Sequence, residues 1–62
     1  MYIDVKRLRL RSGVSQRELA RRMGIRAQMA HRWDKGSQPR AERLPKLVEA
    51  LGLNSVDDLY AE

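Results

Sequence analysis

The sequence lacks cysteine and phenylalanine, and its aromatic residues are one tryptophan and two tyrosines. Without cysteine, disulfides, thiolate metal ligands and thiol catalysis are excluded. No apolar run exceeds three residues, which argues against a membrane-spanning helix or a signal-peptide core and predicts a cytoplasmic protein. The 62 residues make one small domain, and 42% apolar residues is too many for a disordered basic tail.

The C-terminal part of the chain lacks positive charge. Residues 47–62 hold four acidic residues and no base, whereas residues 1–46 hold all thirteen lysines and arginines with four acids. The net charges of these parts are −4 and +9. Ten of the bases are arginine, the side chain best suited to phosphates and guanine edges. This asymmetry predicts one surface for a polyanion, although a merely solvated basic surface would have the same composition.

Apolar residues recur at helical spacing between glycines and prolines, with no strand-like alternation. The pattern predicts helices over about 3–12, 16–23, 27–35 and 44–51, and a polar loop over 37–43. A short fifth helix is predicted from Ser55 onward. The brief, glycine-containing connection between the second and third helices is typical of two helices joined at a steep angle.

Local signals refine these helices. Ser15 and Glu18 are spaced as a capping box, in which the Ser hydroxyl reaches forward and the Glu carboxylate reaches back. Glu18 and Arg22 are a favourable pair four residues apart. On the third helix Ala30 and Trp33 are predicted to face inward, and we expect Trp33 to belong to the core. The opposite face is predicted to carry donors and an amide but no acid: Gln28, His31, Arg32 and Lys35.

Residues 15–25 read SQRELARRMGI, and residues 33–36 read WDKG. Their Ser-Gln pair, Leu-Ala one turn later, Gly-hydrophobic turn and apolar-acid-x-Gly ending resemble the helix-turn-helix of the Cro/phage-repressor (XRE-type) family. LPKL at 44–47 and ALGL at 50–53 are also similar to lambdoid repressor DNA-binding domains. The resemblance covers nearly the whole chain. It implies an all-α, compact five-helix lambda-repressor-like domain over residues 1–62.

The resemblance makes the third helix the recognition helix, which enters the major groove while the second helix crosses the DNA backbone. Gln28 is suited to pair with adenine and Arg32 with guanine, whereas the apolar side chains suit a thymine methyl group. The positions that read bases in the family fall here on Ala27, Gln28, Met29 and Arg32.

The same resemblance places contacts to the DNA backbone on Gln16, Arg17, Arg26, Lys35, Ser37, Gln38, Arg40 and Arg43. Arg26 stands where the family has a Ser or Thr cap, which weakens the cap but adds a cation. An ion pair between Arg9 and Asp34 is also implied. Arg9 lies at the edge of the inward apolar stripe of the first helix, where a buried charge requires an acidic partner. Because Asp is shorter than the family's usual Glu, we expect a loose or water-bridged pair.

The function implied is a sequence-specific, double-stranded-DNA-binding transcriptional regulator, repressor-like and bacterial or phage-encoded, associated with the nucleoid when bound. One domain reads few base pairs, so we expect a monomer in solution that forms a homodimer on a palindromic operator. By resemblance the dimer contact involves Leu53, Asn54, Val56 and Tyr60. The alternative is an antitoxin or other protein-binding module of the same fold, with the acidic C-terminal end as its partner surface.

An enzyme is disfavoured because the sequence shows no Ser/His/carboxylate set, no phosphate-binding glycine loop and no cluster of metal ligands. We therefore expect no cofactor, metal, small-molecule substrate or membrane partner. The single histidine, His31, cannot form a metal site alone, and a surface or phosphate-adjacent role suits it better. RNA is a weaker alternative partner, since there is no platform of aromatic side chains for stacking bases.

Overall fold

The computed structural model describes residues 2–60, which form helices and turns without strands. No helix in this part of the chain is long and apolar enough to cross a membrane. Two 3-10 turns, at Ala41–Arg43 and Val56–Leu59, accompany the α-helices. The α-helices are α1 (Val5–Ser12), α2 (Gln16–Met23), α3 (Ala27–Asp34) and α4 (Leu44–Leu51).

The expected fifth helix is not an α-helix. Residues Val56–Leu59 form a 3-10 turn, in which the N–H groups of Asp58 and Tyr60 bond to carbonyls three residues earlier. The Asp58 carboxylate caps this turn by accepting the backbone N–H groups of Asn54 and Ser55, each at 3.1 Å. The segment is too short to develop the four-residue hydrogen-bond spacing of an α-helix.

The predicted helix bounds hold within two residues. The first helix begins at Val5 instead of residue 3, because the Asp4 carboxylate accepts the backbone N–H of Arg7 at 3.1 Å and caps the helix there. The third helix ends at Asp34, one residue before its predicted end. The predicted polar loop after it contains the 3-10 turn at Ala41–Arg43.

The start of α2 confirms half of the predicted capping box. The Ser15 hydroxyl accepts the backbone N–H of Glu18 at 3.0 Å. The Glu18 carboxylate does not reach back to Ser15 and instead binds the guanidinium groups of Arg21 and Arg22. At the other end Gly24 has a φ of 68°, a left-handed conformation that glycine adopts without steric cost and that turns the chain toward α3.

The core lies around α2, which packs against α3 and α4, while α1 packs against the same two helices. Leu19, Leu47 and Leu59 are almost fully buried at its centre. Trp33 is only 4% exposed, which confirms its predicted place in the core. Because Trp33 and Ala30 anchor one side of α3, the other side of that helix is directed away from the core.

Candidate nucleic-acid interface

The outward side of α3 is an open surface of polar and basic groups. Ala27, Gln28, His31 and Arg32 are all exposed, as their helical phase predicts. Together with Gln16 from the start of α2 they line a groove of about 420 Å³. No acidic side chain lines this groove among the described residues. Such a surface presents hydrogen-bond donors to an acceptor-rich ligand without repelling a negative one.

Met29 differs from the other three predicted base-reading residues. It is half-buried and packs against the hydrophobic core, four residues before Trp33 and therefore on the same side of α3. The structure thus gives Met29 a role in seating α3. Met29 also lines the depression beside Arg32, so its predicted apolar contact with a base stays a prediction.

A second depression lies between α3 and the segment that follows it. It has a volume of about 400 Å³. Ser37 and Arg40 are exposed in it, while Arg43 is half-buried, so the loop side presents two guanidinium groups. Glu42 also lines the depression and offsets part of that charge. The structure therefore brings these three predicted backbone-contacting residues to one rim beside Arg32.

Gln38, also predicted to contact the DNA backbone, is engaged within the protein. Its side-chain oxygen accepts the N–H of Ile3 at 2.8 Å, and its side-chain nitrogen donates to the carbonyl of Ile3 at 3.0 Å. The same nitrogen lies 3.5 Å from the carbonyl oxygen of Gly36. Gln38 therefore fastens the segment before α1 to the loop after α3, and because it is exposed and lines the same depression, its contact with the DNA backbone stays a prediction.

Arg9 and Asp34 form a direct two-point ion pair. The Nη2–Oδ2 distance is 2.7 Å and the Nε–Oδ1 distance is 3.3 Å. The third donor of the guanidinium, Nη1, binds the carbonyl of Val14 at 3.1 Å. The loose or water-bridged geometry expected for the short Asp side chain is wrong. The pair is also nearly enclosed, with 11% of the Arg9 side chain and 6% of the Asp34 side chain exposed.

Asp34 has a third partner in Gln16, whose side-chain nitrogen donates to Oδ2 at 2.8 Å. Burial raises the pKa of Asp34, but hydrogen bonds from Arg9 and Gln16 and the charges of Arg9 and Lys6 outweigh it and lower the pKa overall. The carboxylate therefore stays ionised and accepts only. Gln16, predicted as a backbone contact, has its nitrogen committed to this carboxylate and 3.5 Å from Nδ1 of His31.

The remaining predicted backbone contacts are exposed and uncommitted within the described residues. Arg17, Arg26 and Lys35 are exposed, and none has an acidic group within 4.0 Å in residues 2–60. Arg26 occupies the cap position of α3 but makes no side-chain cap hydrogen bond. The N-terminal N–H groups of α3 therefore lack the side-chain acceptor that a Ser or Thr would supply.

Lys6 was assigned no site role from the sequence, and His31 was assigned only a surface or phosphate-adjacent role. With Arg9, Gln16, Asp34 and Lys35 these two line a third groove of about 540 Å³, between α1, the start of α2 and the end of α3. A sequence signal existed for His31, which shares the predicted outward face of α3. Lys6 lies 25 residues before His31, and no local pattern links them.

Two arginines of α2 are engaged away from these grooves. Glu18 binds both Arg21 and Arg22, and these hydrogen bonds lower the pKa of Glu18 to about 2. Arg22 also donates to the carbonyl of Ala50 at 2.8 Å and so links α2 to the end of α4. The predicted Glu18–Arg22 pair is confirmed, with an Nε–Oε2 distance of 2.8 Å.

A family model described as helix-turn-helix matches residues 5–59. The match therefore runs from the start of α1 to the end of the second 3-10 turn and includes all three grooves. No curated protein and no solved structure matches the chain.

Proposed function

Because the chain belongs to the helix-turn-helix family of the Cro and phage-repressor type, whose members are DNA-binding regulators, we propose that it is a sequence-specific, repressor-like transcriptional regulator. The observation that carries the proposal is the two-sided character of α3. One side is held by buried Trp33 and by the enclosed pair of Asp34 with Arg9. The opposite side leaves Gln28 and Arg32 exposed.

The chemistry of that outer side suits the major groove of DNA. The side-chain amide of Gln28 matches the N6 and N7 atoms of adenine, and the Arg32 guanidinium matches O6 and N7 of guanine. Each good bidentate pair discriminates by about 1–3 kcal/mol against the wrong base. Discrimination depends on fixed geometry, and the core anchoring of α3 supplies it.

One copy reads a short stretch of duplex. An eight-residue helix is about 12 Å long, which spans roughly three to four base pairs. We therefore propose that two copies bind a palindromic operator with their recognition helices about 34 Å apart, one turn of DNA. The proposed contact between copies involves Leu53, Asn54, Val56 and Tyr60, of which Leu53 and Tyr60 are already half-buried. Such a small contact predicts a free monomer, which sedimentation would contradict by showing a tight dimer.

Selection of bound sequences from random duplexes tests the proposal. The purified protein is expected to enrich a motif of two related half-sites. Arg32→Ala should then lose preference at one position per half-site, by about 1–3 kcal/mol. Arg11→Ala is the control, because Arg11 is exposed on α1 and does not line the α3 groove. Duplexes that bind without any enrichment would overturn sequence-specific recognition.

The loop after α3 is tested separately. Arg40 is exposed at the rim beside Arg32, and we propose that it contacts a phosphate. Arg40→Ala should weaken binding to all sequences alike and reduce the slope of log affinity against log salt by about 0.9. An unchanged slope would remove Arg40 from the interface, whatever its effect on affinity.

A further inference from the structure

The third groove, lined by Lys6, Arg9, Gln16, His31, Asp34 and Lys35, is continuous with the groove on the outer side of α3. The two grooves share Gln16 and His31. A duplex lying along the outer side of α3 would therefore carry one of its strands past the third groove. Only Gln16 and Lys35 in this groove were assigned to the DNA backbone from the sequence.

The groove has a net positive charge. Lys6 and Lys35 are exposed and have no acidic group within 4.0 Å in residues 2–60. The one acid in the lining, Asp34, is already bound by Arg9 and Gln16. Its charge is thereby balanced by Arg9, and the two lysines remain for an external anion. The lysines come from α1 and from the residue after α3, so an anion between them would contact two elements of the fold.

His31 adds a donor whose charge depends on pH. The Asp34 carboxylate only accepts, so the nitrogen of the Gln16 amide must face it, and Nδ1 of His31 lies 3.5 Å from that same nitrogen. A neutral imidazole accepts there with Nδ1 and carries its proton on Nε2. Protonation converts Nδ1 into a donor, which removes the reason for the ring to stay beside Gln16. A protonated, exposed imidazole then presents two N–H groups to the groove.

We propose that this groove binds a backbone phosphate of DNA, with Lys6 and Lys35 as permanent cations and His31 as a cation that appears on acidification. DNA binding is then accompanied by proton uptake. The inference rests on the DNA-binding function proposed above. The groups facing His31 are Lys6 and Arg9 on α1, Gln16 on α2, and Arg32, Asp34 and Lys35 on or next to α3.

The composition of the chain makes this proposal easy to test. His31 is the only histidine and there is no cysteine, so a pH response that disappears when this one side chain is replaced is assigned to it. The probe is a rhodamine-labelled, mixed-sequence duplex of about two helical turns, with binding followed by anisotropy. From pH 8 to pH 6 the affinity should rise about three- to fivefold, as for one partly solvated ion pair. The salt slope should steepen by about 0.9.

Two variants separate this site from general charge effects. His31→Gln keeps a hydrogen-bonding side chain that does not titrate, so its affinity should lose the pH response. Comparing this variant with the wild type also cancels the contribution of the α-amino group, which titrates within the same pH range. Lys6→Gln should reduce the salt slope by about 0.9. The matched control is Arg7→Gln, since Arg7 is adjacent to Lys6 but lines a different groove with Tyr2 and Tyr60.

The outcomes distinguish this inference from the proposed function. An equal pH response in the wild type and His31→Gln, or equal losses in Lys6→Gln and Arg7→Gln, overturns the phosphate site while DNA binding stands. Absence of duplex binding at every pH and salt concentration overturns the proposed function itself. Circular dichroism at both pH values verifies that each variant is folded.

Discussion

Two carboxylates in residues 2–60 are each bound by arginine at similar N–O distances, but their surroundings differ. Glu18 binds Arg21 and Arg22 on its own helix, and these three side chains are 33%, 72% and 42% exposed. Asp34 binds Arg9 across 25 residues of sequence, and its side chain is only 6% exposed. The Arg9–Asp34 contact measures 2.7 Å and the Arg22–Glu18 contact 2.8 Å.

The comparison shows that the N–O distance of an ion pair does not determine how much the pair stabilises the fold. Water and salt compete for the charges of the exposed Glu18 cluster, so its ion pairs contribute little to stability. Removing one partner of an enclosed pair leaves an uncompensated charge where water cannot reach it, which is far more costly. Asp34 is also the last residue of α3, so its pair with Arg9 fixes this helix against α1. The enclosed pair is therefore the one that serves the proposed DNA-binding surface.

Arg9→Ala should have the largest effect on stability. It leaves Asp34 enclosed without its cation, and we expect a loss of about 3 kcal/mol. For a domain of this size that lowers the thermal midpoint by about 12–24 °C. Arg11→Ala, an exposed arginine of the same helix, should change stability by less than about 0.5 kcal/mol. Urea and thermal unfolding followed by circular dichroism measure both.

Arg9→Lys keeps that experiment informative if the alanine variant does not fold. Lysine retains the positive charge but loses the two-point contact, so its stability should fall between those of the wild type and Arg9→Ala. Equal thermal midpoints for Arg9→Ala and Arg11→Ala would show that the enclosed pair is no stronger than a surface charge.

Asp34→Asn should have the next largest effect, and its size should depend on pH. The folded-state pKa of Asp34 is lowered, so the contribution of the ionised form is present above the unfolded value of about 3.9 and is lost as pH falls through the folded pKa. At neutral pH the variant should lose about 2 kcal/mol. The gap to the wild type should narrow below about pH 4. Urea midpoints that stay equally separated across this range would contradict the assignment.

The same two carboxylates show what a sequence reveals about a fold. Glu18 and Arg22 are four residues apart, and helical geometry alone brings them together. Arg9 and Asp34 have no local relation, and only the resemblance to phage repressors implied their pair. The bond between Gln38 and Ile3 spans 35 residues and had neither a local pattern nor a resemblance to indicate it. Local helices were therefore predictable, whereas contacts that close the fold were mostly not.

In the candidate site, too, features set by local helical geometry were predictable, whereas contacts between distant residues were not. Helical phase correctly placed Gln28 and Arg32 outward, because Trp33 fixes which side of α3 faces the core. Helical phase alone would also have placed Met29, one turn before Trp33, against the core. The commitment of Gln16 to Asp34 was not predictable, since it depends on the position of α2 relative to the end of α3. A four-residue 3-10 turn in place of the fifth helix likewise depends on local capping rather than apolar periodicity.

Arg22→Ala and Arg21→Ala should differ although both arginines bind Glu18. Arg22 additionally donates to the carbonyl of Ala50, in the last turn of α4, where backbone carbonyls lack helical partners. We expect Arg22→Ala to lose about 1 kcal/mol and Arg21→Ala clearly less. Chemical denaturation of the two variants measures the difference. Equal losses would reduce Arg22 to another exposed member of the Glu18 cluster.

The smallest expected effect is the response of the two carboxylates to salt. Two exposed arginines lower the pKa of Glu18 to about 2, and added ions screen such charges, so the pKa should rise toward its ordinary value of 4.5 in about 1 M salt. The pKa of Asp34 should move less, because Arg9 and Gln16 bind it where mobile ions have little access. Carboxyl carbon NMR titrations at low and high salt measure both groups in one sample. If both pKa values moved by the same amount, Asp34 would be as open to solvent as Glu18, and the contrast between an enclosed pair and a surface cluster would fail.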